Sequence, residues 1–246
     1  MRNDREALVT KFFSWQQIPS PVVTEVLSLQ HGGIVIDTEH SMWNFETIFA
    51  SISIGKLNQK TVLVRVHKND LSLISRVLDA GADGIILSTV ETQQDAENFM
   101  NSALHTSQGG SRGLGLVRQN LWGEGQLIQP APILIPQIET SAGISNLESI
   151  ISPSFSFYLI GPYDLSMSLD DAGNFESPRF TQAIERFEHL LPDYKRAVHI
   201  PGNVLGEIEK YRDFGMICLG MDTTSLMEVA NENARIVQEI FCSDSH

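Results

Sequence analysis

Residues that can take part in chemistry follow the ends of several apolar runs in this sequence. Carboxylates dominate the set, which also contains an imidazole, a guanidinium and an amide. Several carboxylates at one desolvated site favour a hard divalent cation between them, an imidazole exchanges protons near neutral pH, and a guanidinium grips carboxylates and oxyanions. These residues are Asp37, Glu39, His40, Arg65, Gln137, Glu139 and Asp164.

The elements that must position these residues are eight short, nearly continuous apolar runs separated by segments of helical period. Such strands are typical of a parallel sheet covered by helices. Eight units in 246 residues predict a single-domain TIM (β/α)8 barrel over residues 1–246, with an open doubly wound sheet as the alternative. Glycines at 55, 81 and 215 indicate helix ends. The predicted strands are 11–16, 33–37, 61–66, 84–89, 133–139, 156–162, 195–200 and 216–222.

In such a barrel, the carboxyl ends of the strands form the rim that carries the active site. Glu139 and Asp164 follow neighbouring strands and are the predicted metal pair, with Mg²⁺ or Mn²⁺ as the first expectation and Co²⁺ or Zn²⁺ as alternatives. His40 is the predicted general base or acid, and Asp37 is placed to hydrogen-bond one of its ring nitrogens. Arg65 suits a carboxylate or a developing oxyanion.

Each of these residues also has a purely structural interpretation. Asp164 could cap a helix, Glu139 could form an ion pair with Arg65 across the barrel mouth, and His40 could be an ordinary surface histidine. Asp222 we interpret as a turn or cap residue. The grouping of the candidates on one rim favours the chemical interpretation.

Composition restricts the partners and the compartment. The net charge is −13, from 17 basic and 30 acidic residues, and the basic residues form no cluster, so we expect no nucleic-acid partner. No apolar stretch reaches the length of a membrane span or of a signal peptide. The two cysteines form no disulfide framework or zinc site, which predicts a cytoplasmic protein.

Several alternative chemistries lack their motifs. The sequence has no GxSxG elbow, no Walker A motif and no CxxC pair. The stretch "GGSRGLG" does not lie directly between a strand and a helix, and the sixth strand contains no lysine for a Schiff base. The long aperiodic segment 106–132 we expect to be functional or disordered.

Six motifs together resemble a known family. "IVIDTEHS", "VLVRVHKND", "GGSRGLG", "PQIET", "IGPYDLS" with "AGN", and "LGMDTTSL" occur in the order seen in the HpcH/HpaI aldolases, over roughly residues 12–226. That family consists of metal-dependent class II pyruvate aldolases on a TIM barrel. The resemblance implies reversible cleavage of a 4-hydroxy-2-oxo acid to pyruvate, or a related 2-oxo acid, and an aldehyde.

The resemblance also implies roles for individual residues. Glu139 and Asp164 would be the metal ligands, and His40 paired with Asp37 would handle protons. Arg65 would stabilise the enolate oxygen that develops during cleavage. These roles agree with those assigned above from residue type and position.

Binding of the 2-oxo acid and subunit assembly are implied in the same way. Gln137 would lie against the 2-oxo acid, and backbone amides around Pro162, Tyr163 and Asp164 would hold its carboxylate. The family forms homo-oligomers, often hexamers, so we expect a trimer or hexamer. The apolar spacing of "SLMEVANENARIVQEIF" suits a C-terminal helix that packs on a neighbouring subunit.

Four positions depart from the family pattern. They are "VHK" after Arg65, "LSTVE" at the end of the fourth strand, "HTSQGG" before the Arg-Gly turn, and Tyr163, which would recontour the 2-oxo-acid pocket. These departures predict an unusual substrate. The alternatives are an acyl-CoA lyase of the citrate-lyase β-subunit type, a non-catalytic barrel used for binding or assembly, and an isomerase or epimerase acting through the same enolate.

Overall fold

Eight parallel strands close into a barrel in chain order, each paired with its sequence neighbours and β1 paired with β8. The computed structural model describes residues 11–29, 32–202, 206 and 208–242. The predicted barrel is confirmed and the open-sheet alternative is wrong, with strand ends differing by up to three residues from those predicted. The strands are β1 (Phe12–Gln16), β2 (Gly33–Asp37), β3 (Thr61–His67), β4 (Gly84–Ser88), β5 (Ile133–Ile138), β6 (Tyr158–Ile160), β7 (Arg196–Ile200) and β8 (Met216–Leu219).

Helices follow the strands and cover the barrel. Local signals fix several of their ends: Thr92 and Asp95 form a capping box, and Ser177 caps a helix that starts with Pro178. The described helices are α1 (Pro21–Ser28), α2 (Phe45–Leu57), α3 (Leu71–Asp79), α4 (Gln93–Ala103), α5 (Ser141–Ser145), α6 (Leu147–Ile150), α7 (Pro162–Ser168), α8 (Pro178–Leu190) and α9 (Asp222–Cys242). None of them combines the length and hydrophobicity of a membrane span.

The three glycines expected at helix ends have different roles. Gly81 follows α3 with a φ of +101°, as predicted for a left-handed turn. Gly55 lies inside α2 instead, where a Cβ would stand 2.5 Å from Val62. Gly215 precedes β8, and a Cβ there would stand 2.2 Å from the Tyr194 carbonyl oxygen. At Gly55 and Gly215 the reason for glycine is therefore close packing.

Alternation along the strands separates two apolar layers. Residues such as Ile34 and Ile36 pack outward against the helices, whereas Val35 and its counterparts on the other strands fill the barrel interior. The next inward-facing position on several strands, two residues nearer the carboxyl end, carries a polar or aromatic side chain. These side chains form a layer at the top of the barrel. These are Trp15, Asp37, Arg65, Ser88, Gln137 and His199.

The segment 106–132 is ordered and lies at the end of the barrel opposite this polar layer. Buried Arg112 donates to Asp79 at the end of α3 (2.6 Å), and Arg118 donates to the Ala80 carbonyl (3.2 Å). A helix that follows a strand returns to the amino ends of the strands, so these contacts hold the segment there. The segment therefore does not form the rim that the sequence assigns to catalysis.

Candidate active site

An arginine–aspartate pair lies at the centre of the polar layer. The register of β2 and β3 places Asp37 opposite Arg65, and the guanidinium grips the carboxylate with Nε–Oδ1 and Nη2–Oδ2 distances of 2.8 and 2.7 Å. Trp15 adds a hydrogen bond to Asp37 at 3.2 Å. Burial by itself would raise the pKa of Asp37, but the hydrogen bonds and charge of Arg65 outweigh it and hold that pKa below its ordinary value.

Glu39, to which the sequence assigns no role, is the second acidic partner of Arg65. Its Oε2 lies 3.0 Å from Arg65 Nη1, and its Oε1 accepts a hydrogen bond from Ser88 Oγ at 2.9 Å. Asp37 accepts from two of the five guanidinium N–H groups, and Glu39 Oε2 adds an ion pair without accepting a hydrogen bond from the described residues. Further N–H groups of Arg65 therefore remain for a ligand. The alternative interpretation of Glu139 as the ion-pair partner of Arg65 does not hold among the described residues, where Arg65 pairs with Asp37 and Glu39.

The expected hydrogen bond between Asp37 and the His40 ring does not form. Asp37 contacts His40 through the backbone N–H, at 3.4 Å from Oδ1, while its carboxylate oxygens bind Arg65. The reason is the strand register, which offers Asp37 a charged partner directly across from it. His40 is exposed and lines the cavity described below, where its ring can approach a bound ligand.

Glu139 is nearly buried, at 4% exposure, and both of its oxygens are bonded. Oε1 accepts from the N–H and the hydroxyl of Thr89, at 2.7 and 2.8 Å, and Oε2 accepts from Gln137 Nε2 at 2.6 Å. Burial raises the pKa of Glu139 to about 7, with a further increase from the charges of Glu39 and Asp164.

Thr89 holds Glu139 through a strained backbone conformation. Its φ is +54°, in the left-handed region that a β-branched residue rarely adopts. This conformation turns the N–H and the hydroxyl toward the same carboxylate oxygen, at 2.7 and 2.8 Å. Strain of this kind is concentrated at functional sites, where the surrounding structure maintains it. No pattern in the sequence indicated Thr89, because a positive φ cannot be recognised from the sequence at a residue of this type.

Asp164 stands in the first turn of α7 and is exposed. Within the described residues its carboxylate accepts no hydrogen bond, so the alternative interpretation of Asp164 as a helix cap does not hold. Pro162 has no N–H, and Leu165 N–H bonds Gly161, which leaves the N–H groups of Tyr163 and Asp164 open. Of the backbone amides around Pro162, Tyr163 and Asp164 that were expected to hold a substrate carboxylate, those of Tyr163 and Asp164 are therefore the candidates.

Gly161 allows β5 and α7 to approach closely. A Cβ at this position would lie 2.8 Å from Glu139 Oε2 and 2.9 Å from Gln137 Nε2. Because Gly161 has no side chain, it leaves space next to the Glu139 carboxylate, which lies just behind the cavity wall. Gln137 Oε1 is buried there and has no hydrogen-bond partner among the described residues, so it offers an acceptor beside the same wall.

One cavity of about 690 Å³ connects most of these residues at the carboxyl ends of the strands. Its lining includes six of the predicted site residues and several that the sequence analysis missed, among them His199, whose inward position on β7 could have marked it. The predicted residues are His40, Arg65, Gln137, Pro162, Tyr163 and Asp164, with Asp37 and Glu139 behind the wall. The residues that were missed are Trp15, Gln17, Gly161, His199, Pro201, Gly202, Met221, Thr223, Thr224, Met227, Glu228 and Asn231.

His199 is stacked on Trp15, with ring centroids 4.1 Å apart. Its Nε2 lies 3.1 Å from the Gly220 carbonyl oxygen, and because a carbonyl only accepts, Nε2 carries the proton. Burial lowers the pKa of His199 to about 4, so the ring is neutral at physiological pH. Of the two histidines in the lining, His40 is therefore the better candidate for proton transfer.

Tyr163 and Asp222 have different roles in the walls of the site. The Tyr163 ring packs edge-on against Phe175, with centroids 5.0 Å apart, and forms part of the cavity lining. Asp222, interpreted as a turn or cap residue, accepts the N–H groups of Gln17 and Ile18 at 2.9 and 2.8 Å. It thus ties the loop after β1 to the start of α9 and is not a ligand.

The donors at Glu139 and Asp164 fit a divalent cation. Two carboxylates repel each other in a site where Arg65 is already held by other acids, and carboxylate oxygen suits hard cations. In the part of the chain that the structure describes, no three His, Cys, Asp or Glu side chains form a metal-binding group. A cation would therefore take two protein carboxylates here and its other ligands from substrate and solvent.

A closed barrel with a charged cavity at the carboxyl ends of its strands is the architecture of a (β/α)8-barrel enzyme. Residues 19–225 match the family model of the HpcH/HpaI aldolase/citrate lyase family. The chain belongs to this family and is a lyase of the aldolase kind.

Relatives and solved structures agree with this assignment. The chain is 35% identical to a hydroxypyruvate/pyruvate aldolase of Rhizorhabdus wittichii, over 64% of either chain, which is less than two thirds of that relative's length. It is 27% identical to a 5-keto-4-deoxy-D-glucarate aldolase of Salmonella paratyphi C, over 85% of this chain and 84% of the relative. A family protein from Burkholderia cenocepacia shares the fold, with a TM-score of 0.82, 21% identity and coverage of 96% and 99%.

Proposed function

We propose that this protein is a divalent-metal-dependent aldolase that reversibly cleaves a 4-hydroxy-2-oxo acid to pyruvate, or a related 2-oxo acid, and an aldehyde. The observation that carries the proposal is the meeting of Arg65, Gln137 and Asp164 around one cavity, with Glu139 directly behind its wall. This arrangement offers a cation site and a fixed positive charge to the same small anion.

Glu139 and Asp164 would hold the cation, with Mg²⁺ or Mn²⁺ as the first candidates. When bound, the cation supplies an electrophile that polarises the keto group of the 2-oxo acid. The open N–H groups of Tyr163 and Asp164 suit the substrate carboxylate. Gln137 Nε2 already donates to Glu139, so Gln137 would support substrate binding by holding the Glu139 carboxylate in place.

Cleavage breaks the bond between C3 and C4 of the substrate. The C4 hydroxyl loses its proton, C4 becomes the aldehyde carbon, and the electron pair of the broken bond forms the enolate of the 2-oxo acid. Arg65 stabilises the negative charge on the enolate oxygen through the N–H groups that Asp37 and Glu39 leave free. A proton then adds to C3 to give pyruvate, and His40 is the group on the cavity wall that exchanges protons.

The cavity supports an aldolase over an acyl-CoA lyase. Coenzyme A carries several phosphate charges, which require a basic groove. Among the described lining residues, Arg65 is the one permanent cation, and it is clamped by two acids. A small 2-oxo acid, with a single carboxylate, matches the charge that this cavity offers.

Exchange of the pyruvate methyl protons in D₂O, followed by NMR, tests the proposal without knowledge of the aldehyde. We expect exchange with Mn²⁺ or Mg²⁺ and none with EDTA, because enolate formation requires the cation. His40→Asn should slow exchange on the order of 10²-fold while Mn²⁺ still binds. His189→Asn, an exposed histidine on α8 away from the cavity, is the matched control. Absence of exchange with every divalent metal would refute the proposal, and unchanged exchange in His40→Asn would remove His40 from its role.

Thr89→Val tests whether the strained turn after β4 positions a metal ligand. The valine keeps the β-branched shape but loses the hydroxyl that donates to Glu139 at 2.8 Å. We expect the dissociation constant for Mn²⁺, measured by calorimetry without substrate, to rise about tenfold, as for other partners that orient metal ligands. Thr89→Ser should retain the wild-type affinity. Equal affinities in the valine and serine variants would show that the hydroxyl has no such role.

The C-terminal helix α9 supports assembly into a homo-oligomer. Its residues 225–241 are exposed, including Leu226, Val229, Val237 and Ile240 at a helical spacing. An exposed apolar stripe of this kind is typical of a protein–protein interface, and a trimer or hexamer is the expected state. Light scattering should show the oligomer for the wild type and smaller species for Val237→Lys/Ile240→Lys. An oligomer unchanged by these substitutions would place the interface elsewhere.

A further inference from the structure

The end of β3 and the turn after β4 lie next to each other at the rim of the barrel. The register of the two strands pairs His67 with Ser88, so Lys68 and Thr89 follow at neighbouring positions. Two of the stretches that depart from the family pattern, "VHK" and "LSTVE", therefore meet at this point. The contacts between them bear on how the turn that carries Thr89 is held.

An ion pair joins the two stretches. Lys68 Nζ lies 2.5 Å from Glu91 Oε2, and Asp95 Oδ2 lies 4.0 Å from the same nitrogen. Neither Lys68 nor Glu91 belongs to the lining of the 690 Å³ cavity. The pair can therefore influence the site through the chain between Thr89 and Glu91, or through its charges, but not by touching a ligand in that cavity.

The turn that the ion pair joins to β3 contains the strained residue Thr89. Its left-handed φ of +54° costs free energy at a β-branched residue, and such a conformation persists only where the surrounding contacts maintain it. Val90 N–H supplies one of these contacts, at 3.1 Å from the Gln137 carbonyl oxygen on β5. The other contacts of the turn come from Glu91.

Glu91 bonds three different elements. Its N–H donates to Asp95 at the start of α4 (3.1 Å), its carbonyl accepts from Asn146 Nδ2 before α6 (2.9 Å), and its carboxylate pairs with Lys68 at the end of β3. The ladder between β3 and β4 ends at the pair of His67 and Ser88. Beyond that pair, the ion pair is the contact of Glu91 that ties the turn to β3.

We infer that the Lys68–Glu91 ion pair is a positioning device, which keeps the Thr89 turn, and through it the Glu139 carboxylate, in the arrangement that binds the cation. The inference rests on the proposed function, since it takes Glu139 as a metal ligand. Thr89 donates its N–H and its hydroxyl to Glu139 Oε1, so a shift of the turn moves that oxygen or releases it. Residues that orient a metal ligand without contacting the metal alter the metal affinity in this way.

Single and paired substitutions separate positioning from a direct effect of charge. Lys68→Met keeps the aliphatic stem without its charge, and Glu91→Gln keeps the shape of the side chain. A direct effect of charge would strengthen Mn²⁺ binding in Lys68→Met and weaken it in Glu91→Gln. Positioning weakens binding in both, and we expect the dissociation constant, measured by calorimetry without substrate, to rise about fivefold in each. Lys68→Glu/Glu91→Lys, which restores the pair with its charges exchanged, should recover most of the wild-type affinity.

Hydrogen exchange in EDTA follows the turn itself when no metal is bound. Mass spectrometry of a short peptide that contains Thr89 should show exchange about fivefold faster in both single variants than in the wild type, and near the wild-type rate in the exchanged pair. Lys56→Met is the matched control. Lys56 and Asp83 form an ion pair of similar exposure, with side chains 34% and 31% exposed against 22% and 30%, near the amino end of β4. Its loss should change neither the exchange at Thr89 nor the affinity for Mn²⁺.

The outcomes distinguish this inference from the proposed function. Opposite changes of Mn²⁺ affinity in the two single variants, wild-type affinity in both, or no recovery in the exchanged pair would overturn the inference and leave Glu139 as a metal ligand. Unchanged exchange at Thr89 in both single variants, or an equal change in Lys56→Met, would also overturn it. Absence of Mn²⁺ binding in the wild type would overturn the proposed function, and the inference with it.

Discussion

Glu139→Gln is expected to abolish metal-dependent exchange of the pyruvate methyl protons, with a loss on the order of 10³-fold. The amide has nearly the same shape as the carboxylate but lacks the negative charge that holds a divalent cation. Calorimetry should show the affinity for Mn²⁺ falling by at least about 100-fold. Glu148→Gln, an exposed acid on α6, should change neither quantity. Exchange at the wild-type rate in Glu139→Gln would remove this residue from the metal site.

The same variant should be more stable than the wild type when metal is absent and the pH is high. Burial raises the pKa of Glu139 from its ordinary 4.5 to about 7, so the folded protein favours the protonated form. The stabilisation that the protonated Glu139 contributes to the folded state is therefore fully present below pH 4.5. It is lost as the pH rises through 7, which lowers the free energy of unfolding by at most about 3 kcal/mol.

Thermal unfolding in EDTA across pH 5 to 8 measures this effect. We expect the wild-type Tm to fall relative to that of Glu139→Gln over this range, because only the wild type must ionise a buried carboxylate. Addition of Mn²⁺ at pH 8 should reverse the order, since the cation binds the ionised form. Parallel curves for the two proteins in EDTA would contradict the raised pKa.

Arg65→Lys is expected to lower the rate of methyl exchange by 10²- to 10³-fold while Mn²⁺ still binds. Lysine keeps the positive charge but cannot reproduce the fork that grips Asp37 and Glu39 and still presents N–H groups to an enolate oxygen. Arg112→Lys is a matched control, because Arg112 is also buried and bonded to an aspartate, at the opposite end of the barrel. It should lower stability without changing the exchange rate.

Removing the charge at position 65 tests the structural side of the same pair. Arg65→Met leaves the fully buried Asp37 without its counter-charge, and we expect a loss of about 3–5 kcal/mol in the free energy of unfolding. Asp37→Asn combined with Arg65→Met should recover part of this stability and none of the activity. Recovery of activity in the double variant would show that the pair is only structural.

The sequence by itself determined the barrel and the end of the barrel at which the site lies. Both follow from local patterns: each apolar run such as 33–37 or 61–66 is long enough for one buried strand, and helical segments of the right length separate the runs. Polar residues just beyond a parallel strand must lie at its carboxyl end. The positions of Asp37, Arg65 and Glu139 at this end of the barrel could therefore be predicted from the sequence.

Tertiary structure decided which of these residues bind one another. Asp37 bonds Arg65, 28 residues away, instead of the His40 ring three residues away, because the register of β2 and β3 sets the two charges side by side. Register depends on how whole strands pair, and no local pattern encodes it. In the same way, the turn after β4 brings Thr89 to Glu139, 50 residues further along the chain.

The wall that α9 contributes to the cavity also depended on the tertiary structure. Glu228 and Met227 belong to a helix whose sequence indicates only an apolar stripe for packing, yet chain closure brings its first turns over the barrel mouth. Segment 106–132 shows the opposite case, since its glycines and length favoured a functional or disordered loop, whereas contacts of Arg112 and Arg118 hold it at the far end of the barrel. A side chain's neighbours in a closed barrel come from strands distant in sequence, so local pattern predicts the elements and the closed fold determines their contacts.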